Sequence, residues 1–373
     1  MTEATAPFRA DHVGSLLRAD SVKAARHRFY DEKSIAPEEL AEIEDEAIRD
    51  VIRMQEDAGL PVVTDGEMRR SFWHYDFMGG LEGFELEERD EGVQFAGVKL
   101  RPIFPTIREK LDFPDDHPML EHFRFVAANT KVQPKISIPG PSCCHFRTAP
   151  ADILPEEYKD PEALFADLAK TYAKAVKAFY EAGCRYLQMD DIFFAYLCDP
   201  KHRADKAALG QDPDWLIGKY AWMMHEAIKD RPADMKIGMH MCRGNFKSTH
   251  AAEGAYDLAA DAIFNQTGVD IYFMEYDDER SGGLEPLRLL PKGPKRVMPG
   301  FITTKRGALE TVDALRRRFD EVAKVADLDQ FGIAPQCGFS STEEGNAITP
   351  DDQRRKLDLV VETAEKIWGG VAA

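Results

Sequence analysis

Cysteine is scarce in this chain and irregularly spaced: Cys143, Cys144, Cys184, Cys198, Cys242 and Cys337 are the only six in 373 residues. So few thiols, so placed, exclude the dense disulfide framework of a small secreted domain, and reduced cysteines are expected. Long apolar runs are missing as well, which argues against a membrane-spanning helix and a membrane partner. The opening "MTEATAPFRADH" lacks the charged-then-apolar layout of a secretory leader. A soluble, cytoplasmic chain is expected. Basic charge is not concentrated anywhere: 48 Lys and Arg lie scattered among 66 Asp and Glu, for a net charge of −18. That distribution argues against nucleic acid as a partner. No internal repeat or low-complexity tract interrupts the chain.

What is present is a rhythm. Short apolar runs ("LPVVTDGE", "PKISIPG", "RYLQMDD", "MKIGMHM", "VDIYFMEY", "KRVMPGF", "FGIAPQCG") alternate with amphipathic stretches predicted as helices at 37–58, 161–182, 251–264 and 351–368, among others. Continuous apolar runs suit strands buried on both faces. With "FRADHVGS" as the first, about eight strands alternate with helices, and the predicted fold is an α/β (β/α)8 TIM barrel. At 44% hydrophobic content the chain can fill such a core as one domain over 1–373. Residues 78–130 break the rhythm with Gly-rich, charged and alternating pieces. They are read as a β-hairpin insertion between strands 2 and 3, on the active-site face, serving as a lid or as a contact in a homo-oligomer.

In such a barrel the C-terminal strand ends converge on one mouth, and the chemistry-bearing residues cluster there. "KIGMHMCRGN" ends a strand with His240 and Cys242 two apart, "YFMEYDDER" carries Glu275 at its tip, and "APQCGFSS" carries Cys337. Any one of these alone reads as a hydrogen-bonded core histidine or a small buried thiol. Together, one imidazole, two thiolates and a carboxylate suit tetrahedral zinc, with Asp277, Asp278 and Glu279 as alternatives to Glu275. Zinc held by two thiolates can bind an external thiol as a nucleophilic thiolate, which points to alkyl transfer onto sulfur.

Other strand ends carry polar groups: His12, Ser15 and Arg18 in "HVGSLLR", Asp65, Glu67, Arg69 and Arg70 in "TDGEMRR", and Gln188, Asp190 and Asp191 in "LQMDD". Glu67 and Asp190 would hold the ammonium of an amino-acid substrate, with arginines or backbone N–H groups on its carboxylate. Trp73, His74 and Tyr75, and Cys143, Cys144 and His145, are expected near the mouth, as donor-pocket walls or as packing.

With these motifs in order, the chain resembles the cobalamin-independent methionine synthase family, in its C-terminal catalytic barrel, and especially its short single-barrel homocysteine methyltransferase-like members. The resemblance runs from "HVGS" to the last helix. It implies zinc on His240, Cys242, Glu275 and Cys337, and a homocysteine pocket using Ser15, Glu67 and Asp190. It also implies methionine formation from homocysteine, with methyltetrahydrofolate as the methyl donor to consider. Two departures stand out. The family's Asp-Glu-Pro-Ala after strand four reads "MDDIFFAYLCDP" here, and its Asp-x-His near the end of strand seven becomes Thr303 and Lys305 within "PGFITTKRG". Lys305, with Asp190, is therefore the catalytic candidate, although an ordinary lysine is a weak acid. The epoxyalkane:coenzyme M transferases are the alternative; their thiol has no amine for Glu67 and Asp190 to hold.

Overall fold

The computed structural model describes residues 5–89, 94–95, 98–99 and 103–372. Its strands are β1 (Val62–Val63), β2 (Glu82–Glu88), β3 (Gln94–Phe95), β4 (Val98–Lys99), β5 (Ile103–Asp112), β6 (Gln133–Pro134), β7 (Ile136–Pro139), β8 (Tyr186–Asp190), β9 (Lys236–Met241), β10 (Ile271–Glu275), β11 (Arg296–Ile302) and β12 (Ala334–Pro335). Strands β7 to β12 form one curled six-stranded sheet in chain order, every neighbouring pair parallel. β1 pairs with β6, also in parallel. Residues 9–16 run between two edges. Arg9 and Asp11 exchange backbone bonds with Ile333 on one side (2.7 and 3.1 Å), and Leu16 N–H donates to Gly66 (3.0 Å) on the other.

Parallel neighbours need crossovers, and helices supply them. The helix Pro37–Asp57 starts with Pro at its first turn and Glu38 and Glu39 facing the positive end of the dipole. It buries Leu40, Ala47, Ile48 and Ile52. Gly59, at φ +81°, takes the left-handed turn that ends it. Pro161–Glu181 joins β7 to β8, and Pro213–Ile228 joins β8 to β9. Alternation along the strands divides the core in two. Leu187, Met189, Ile237 and Met239 pack among the helices, while Tyr186, Ile271, Phe273 and Met298 join Phe8, Val13 and Val62 in a separate cluster.

The expected helix at 251–264 is not formed over most of that span; a single π-helical turn covers Ala262–Gln266. The reason is local. Gly254 sits at φ +114°, its carbonyl accepts from both Arg243 Nε (2.8 Å) and Nη2 (2.5 Å), and its N–H reaches Arg280 O (3.1 Å). This segment is spent on holding a buried arginine. The expected hairpin is present in part: β2 pairs antiparallel with β5 and β3 with β4, followed by the helix Pro118–Asn129. Residues 90–93, 96–97 and 100–102 of that region lie outside the described residues. No helix among the described residues is long and apolar enough to cross a membrane.

Candidate functional site

Because β8, β9 and β10 are parallel and in register, their C-terminal ends reach the same rim. Asp190 is the cross-strand partner of His240, and His240 of Phe273. One pocket at this rim is lined by Ser15, Glu67, Asp190, His240, Cys242 and Cys337, so six of the eight residues singled out from sequence share a cavity. The other two, Glu275 and Lys305, do not line it; they pair with each other beside it, 3.4 Å apart.

The ligand atoms of His240, Cys242 and Cys337 all lie within 4.8 Å of one another, and the two sulfurs are 3.8 Å apart. Metal–sulfur bonds of about 2.3 Å in a tetrahedron give an edge of about 3.8 Å, so the donor set and its spacing fit a zinc ion. The hydrogen bond shared with Cys242 and the nearby His240 ring hold the Cys337 thiol well below the usual range against burial, and the same sharing, with burial, pushes Cys242 up. His240 is lowered by burial, but its bonds to Asp190 (Nδ1–Oδ1 3.4 Å) and Cys337 prevail and raise it to about 10.

Glu275 is fully buried yet ionised. Burial favours the neutral form, but Lys305, Arg280 and Arg243 outweigh it and hold the carboxyl down to about 2. Arg280 Nη2 lies 2.9 Å from its Oε1, and the Arg243 backbone N–H donates to Oε2 at 2.6 Å. Lys305 is correspondingly not a depressed lysine: burial lowers it, but Glu275, Asp277 and Cys337 raise it above its ordinary value. Neither Arg243 nor Arg280 was singled out from sequence, although both flank motif residues in "HMCRGN" and "EYDDER".

Alternate residues of β8 build a polar ladder beneath the pocket. Gln188 Nε2 donates to Asp190 Oδ1 (2.8 Å), Lys135 Nζ donates to Gln188 Oε1 (3.1 Å) and to Asp11 Oδ1 (2.7 Å), and Tyr186 O–H donates to Asp11 Oδ2 (2.7 Å). Lys135 and Ser137, also missed from sequence, come from the run "PKISIPG". Glu67 stands in a left-handed turn at φ +60° and accepts from Ser137 Oγ (3.1 Å), with Arg70 3.4 Å from Oε1 and Arg18 4.0 Å from Oε2. Burial raises its carboxyl to about 7 against the pull of those arginines, with Asp190 and Asp65 adding to the rise. Its Oε2 makes no hydrogen bond within the described residues. Arg18 itself donates to the carbonyls of Leu16, Gly66 and Ser340, tying three loops together. Ser15 Oγ accepts from Ser340 N–H (3.4 Å), beside Gly338.

Of the aromatic and thiol groups expected near the mouth, Trp73, His74 and Tyr75 line the pocket. Cys143, Cys144 and His145 do not. His145 is spent on Tyr220 O–H (2.7 Å) and Gln211 (3.1 Å), and Cys143 packs on Met78.

The structure is thus an α/β fold whose parallel sheet brings His240, Cys242, Cys337 and Asp190 to one rim. Residues 8–366 match the family model described as "Cobalamin-independent synthase, Catalytic domain". The chain belongs to this methionine synthase-like methyltransferase family. It is 45% identical over 367 residues to YxjH of Bacillus subtilis (strain 168), itself uncharacterized, covering 97% of this chain and 95% of that one. It is 26% identical over 298 residues to the methionine synthase of Pyrococcus abyssi (strain GE5 / Orsay), covering 79% and 76%. A Listeria monocytogenes crystal structure provisionally named a vitamin-B12-independent methionine synthase superposes with a TM-score of 0.79 at 36% identity, over 98% of this chain and 99% of that one.

Proposed function

We propose that this chain is a zinc-dependent S-methyltransferase that converts homocysteine to methionine. The observation that carries the reading is the convergence of His240, Cys242 and Cys337 in a buried pocket that also holds Glu67 and Asp190. Zinc, when bound, would supply Lewis acidity that keeps the substrate sulfur as thiolate at neutral pH. Asp190 engages His240 Nδ1 and fixes the ring, so that Nε2, 3.4 Å from the Gln336 carbonyl, would be the ligand atom. Glu67 offers Oε2, which makes no hydrogen bond and has only the Arg18 guanidinium at 4.0 Å, to the substrate ammonium, Asp190 assists, and Ser15 helps to hold the substrate carboxylate. In the overall reaction the sulfur–methyl bond forms, the methyl–donor bond breaks with its electron pair leaving on the donor, and the thiol proton is balanced by one taken up by the donor.

Glu275 is the proposed fourth zinc ligand; Lys305, Arg280 and the Arg243 N–H hold its carboxylate beside the His240, Cys242 and Cys337 cluster and would keep it paired if a substrate thiolate took its place. Lys305 then serves as fixed positive charge beside the site; raised above its ordinary value by Glu275, Asp277 and Cys337, it is a poor proton source. Residues 9–16, bonded to Ile333 and to the 64–66 turn, support closure of the sheet into a single (β/α)8 barrel. Residues 78–130 would be an insertion on the site's face, and Ile103 of β5 lines the pocket. The amino-acid clamp weighs against a coenzyme M-type thiol.

The test is calorimetric titration of zinc-loaded protein with L-homocysteine and with coenzyme M. Homocysteine is expected to bind with loss of a thiol proton, and Cys337→Ser or His240→Ala to lose zinc and that response together. Stoichiometric zinc and turnover in both variants, or binding of coenzyme M alone, would sink the assignment.

A further inference from the structure

Beneath the pocket lies a charged group that the proposed chemistry does not use. Lys135, between β6 and β7, is fully buried, as is Gln188 in the middle of β8, and neither lines the pocket. The ammonium of Lys135 is paired with Asp11 (2.7 Å), and the rings of Phe273 and Tyr186 lie 4.7 and 5.2 Å from it. A buried cation is costly unless its donors are met, and an ammonium has three. All three are met here, by Asp11 Oδ1, the His12 carbonyl and Gln188 Oε1 (3.1 Å). Room for this arrangement comes from Gly238, the β9 partner of Gln188, where a Cβ would lie 3.3 Å from both rings and 3.6 Å from Gln188 Cγ.

The third of these bonds decides which way the Gln188 amide faces. An ammonium can only donate, so the amide atom turned toward it is the oxygen. The amide nitrogen is thereby turned to the other side, where it donates to the Val13 carbonyl (2.6 Å) and to Asp190 Oδ1 (2.8 Å). His240 Nδ1 lies 3.4 Å from that same carboxylate oxygen. Reversed, the amide would set its oxygen against both the Val13 carbonyl and the Asp190 carboxylate.

The pair therefore reaches both sides of the proposed amino-acid clamp. Lys135 and Gln188 take the consecutive carbonyls of His12 and Val13, and Thr64 Oγ1 takes the next, that of Gly14 (2.6 Å), immediately before Ser15. On the other side Gln188 holds Asp190. Resting on the homocysteine reading, we propose that Lys135 and Gln188 are positioning residues for the amino-acid substrate. By fixing the direction of one amide they set Asp190, on the substrate ammonium, against Ser15, on its carboxylate, and so give the site its preference for a thiol that carries an amine.

The experiment is calorimetric binding of L-homocysteine and of 4-mercaptobutyrate, the same skeleton without its amine, to protein saturated with zinc. The two ligands share the thiol and the carboxylate, so the ratio of their affinities isolates the amine. Wild-type protein should favour homocysteine by tenfold or more. Gln188→Met, close in volume but with no N–H for Asp190, should lower that ratio about tenfold. Because Lys135 alone cannot be neutralised without stranding Asp11, the second variant is the charge-balanced Asp11→Asn/Lys135→Met. It frees the amide to turn over and should lower the ratio about threefold. Thermal unfolding checks that each variant is folded, and if Gln188→Met is not, the double variant decides. A merely structural role would weaken both thiols together and leave the ratio alone. A ratio within twofold of wild type in the folded variants overturns the proposal. Wild-type protein that binds neither thiol, or both alike, would sink the homocysteine reading itself and this inference with it.

Discussion

The Lys305 ammonium lies 3.4 Å from Glu275 Oε1, and that carboxylate is fully buried while the three ligand atoms of His240, Cys242 and Cys337 gather without it. Two cations, Lys305 and Arg280, therefore share one acid at the edge of the candidate metal site. This arrangement separates the acid's structural role from its role as a ligand.

Glu275→Gln would leave both cations facing a neutral amide, at a cost of about 3 kcal/mol. In urea unfolding of metal-free protein we expect that loss, with partial recovery in the double variant Glu275→Gln/Lys305→Met, since the two sites are coupled. Chelator competition should show zinc affinity falling further in Cys242→Ser or Cys337→Ser than in Glu275→Gln. If Glu275→Gln loses zinc as completely as the cysteine variants, the carboxylate is a permanent ligand.

The proposed ammonium clamp depends on pH. Burial raises Glu67 to about 7, so in the free protein the carboxylate is protonated below that pH and ionised above it. Methionine, which has an ammonium but no thiol proton, isolates this group from the metal. Its affinity should fall by up to tenfold for each pH unit below 7 and level off above it, because only ionised Glu67 attracts the ammonium. Glu67→Gln should bind methionine weakly and with a flat profile between pH 5.5 and about 8. A wild-type profile equally flat would place the ammonium elsewhere.

Much of this site was legible because strand-end chemistry is local. His240 and Cys242 stand two apart, and the C-terminal ends of parallel strands must share a rim, so their meeting with Cys337 and Asp190 follows from pattern and topology. The pairing of Glu275 with Lys305 and Arg280 was not legible, since whether an acid faces a metal or a cation depends on side-chain directions set by loops 30 and 5 residues away. The segment after Cys242 misled for a related reason. Its spacing suits a helix, but Gly254 and its carbonyl are committed to Arg243, a long-range demand that local propensity does not register.

Ser15 and Gly338 give the most direct steric test of the substrate pocket. A Cβ added at Gly338 would fall 1.9 Å from Ser15 Oγ and 3.1 Å from Ser15 Cβ, well inside contact distance. Gly338 is not in a left-handed conformation, so the penalty of Gly338→Ala is steric alone, about 1–3 kcal/mol for an overpacked site. The Ser15 hydroxyl must swing away, and the KM for homocysteine should rise about tenfold while zinc content is unchanged. The decisive comparison is with Ser15→Ala, which removes the oxygen the new methyl would strike. Gly338→Ala on that background should add little to the loss already caused by Ser15→Ala. If the two losses simply add, the glycine matters for another reason, such as its carbonyl's bond from Asn245 Nδ2 (2.9 Å), and Ser15 is not what requires it.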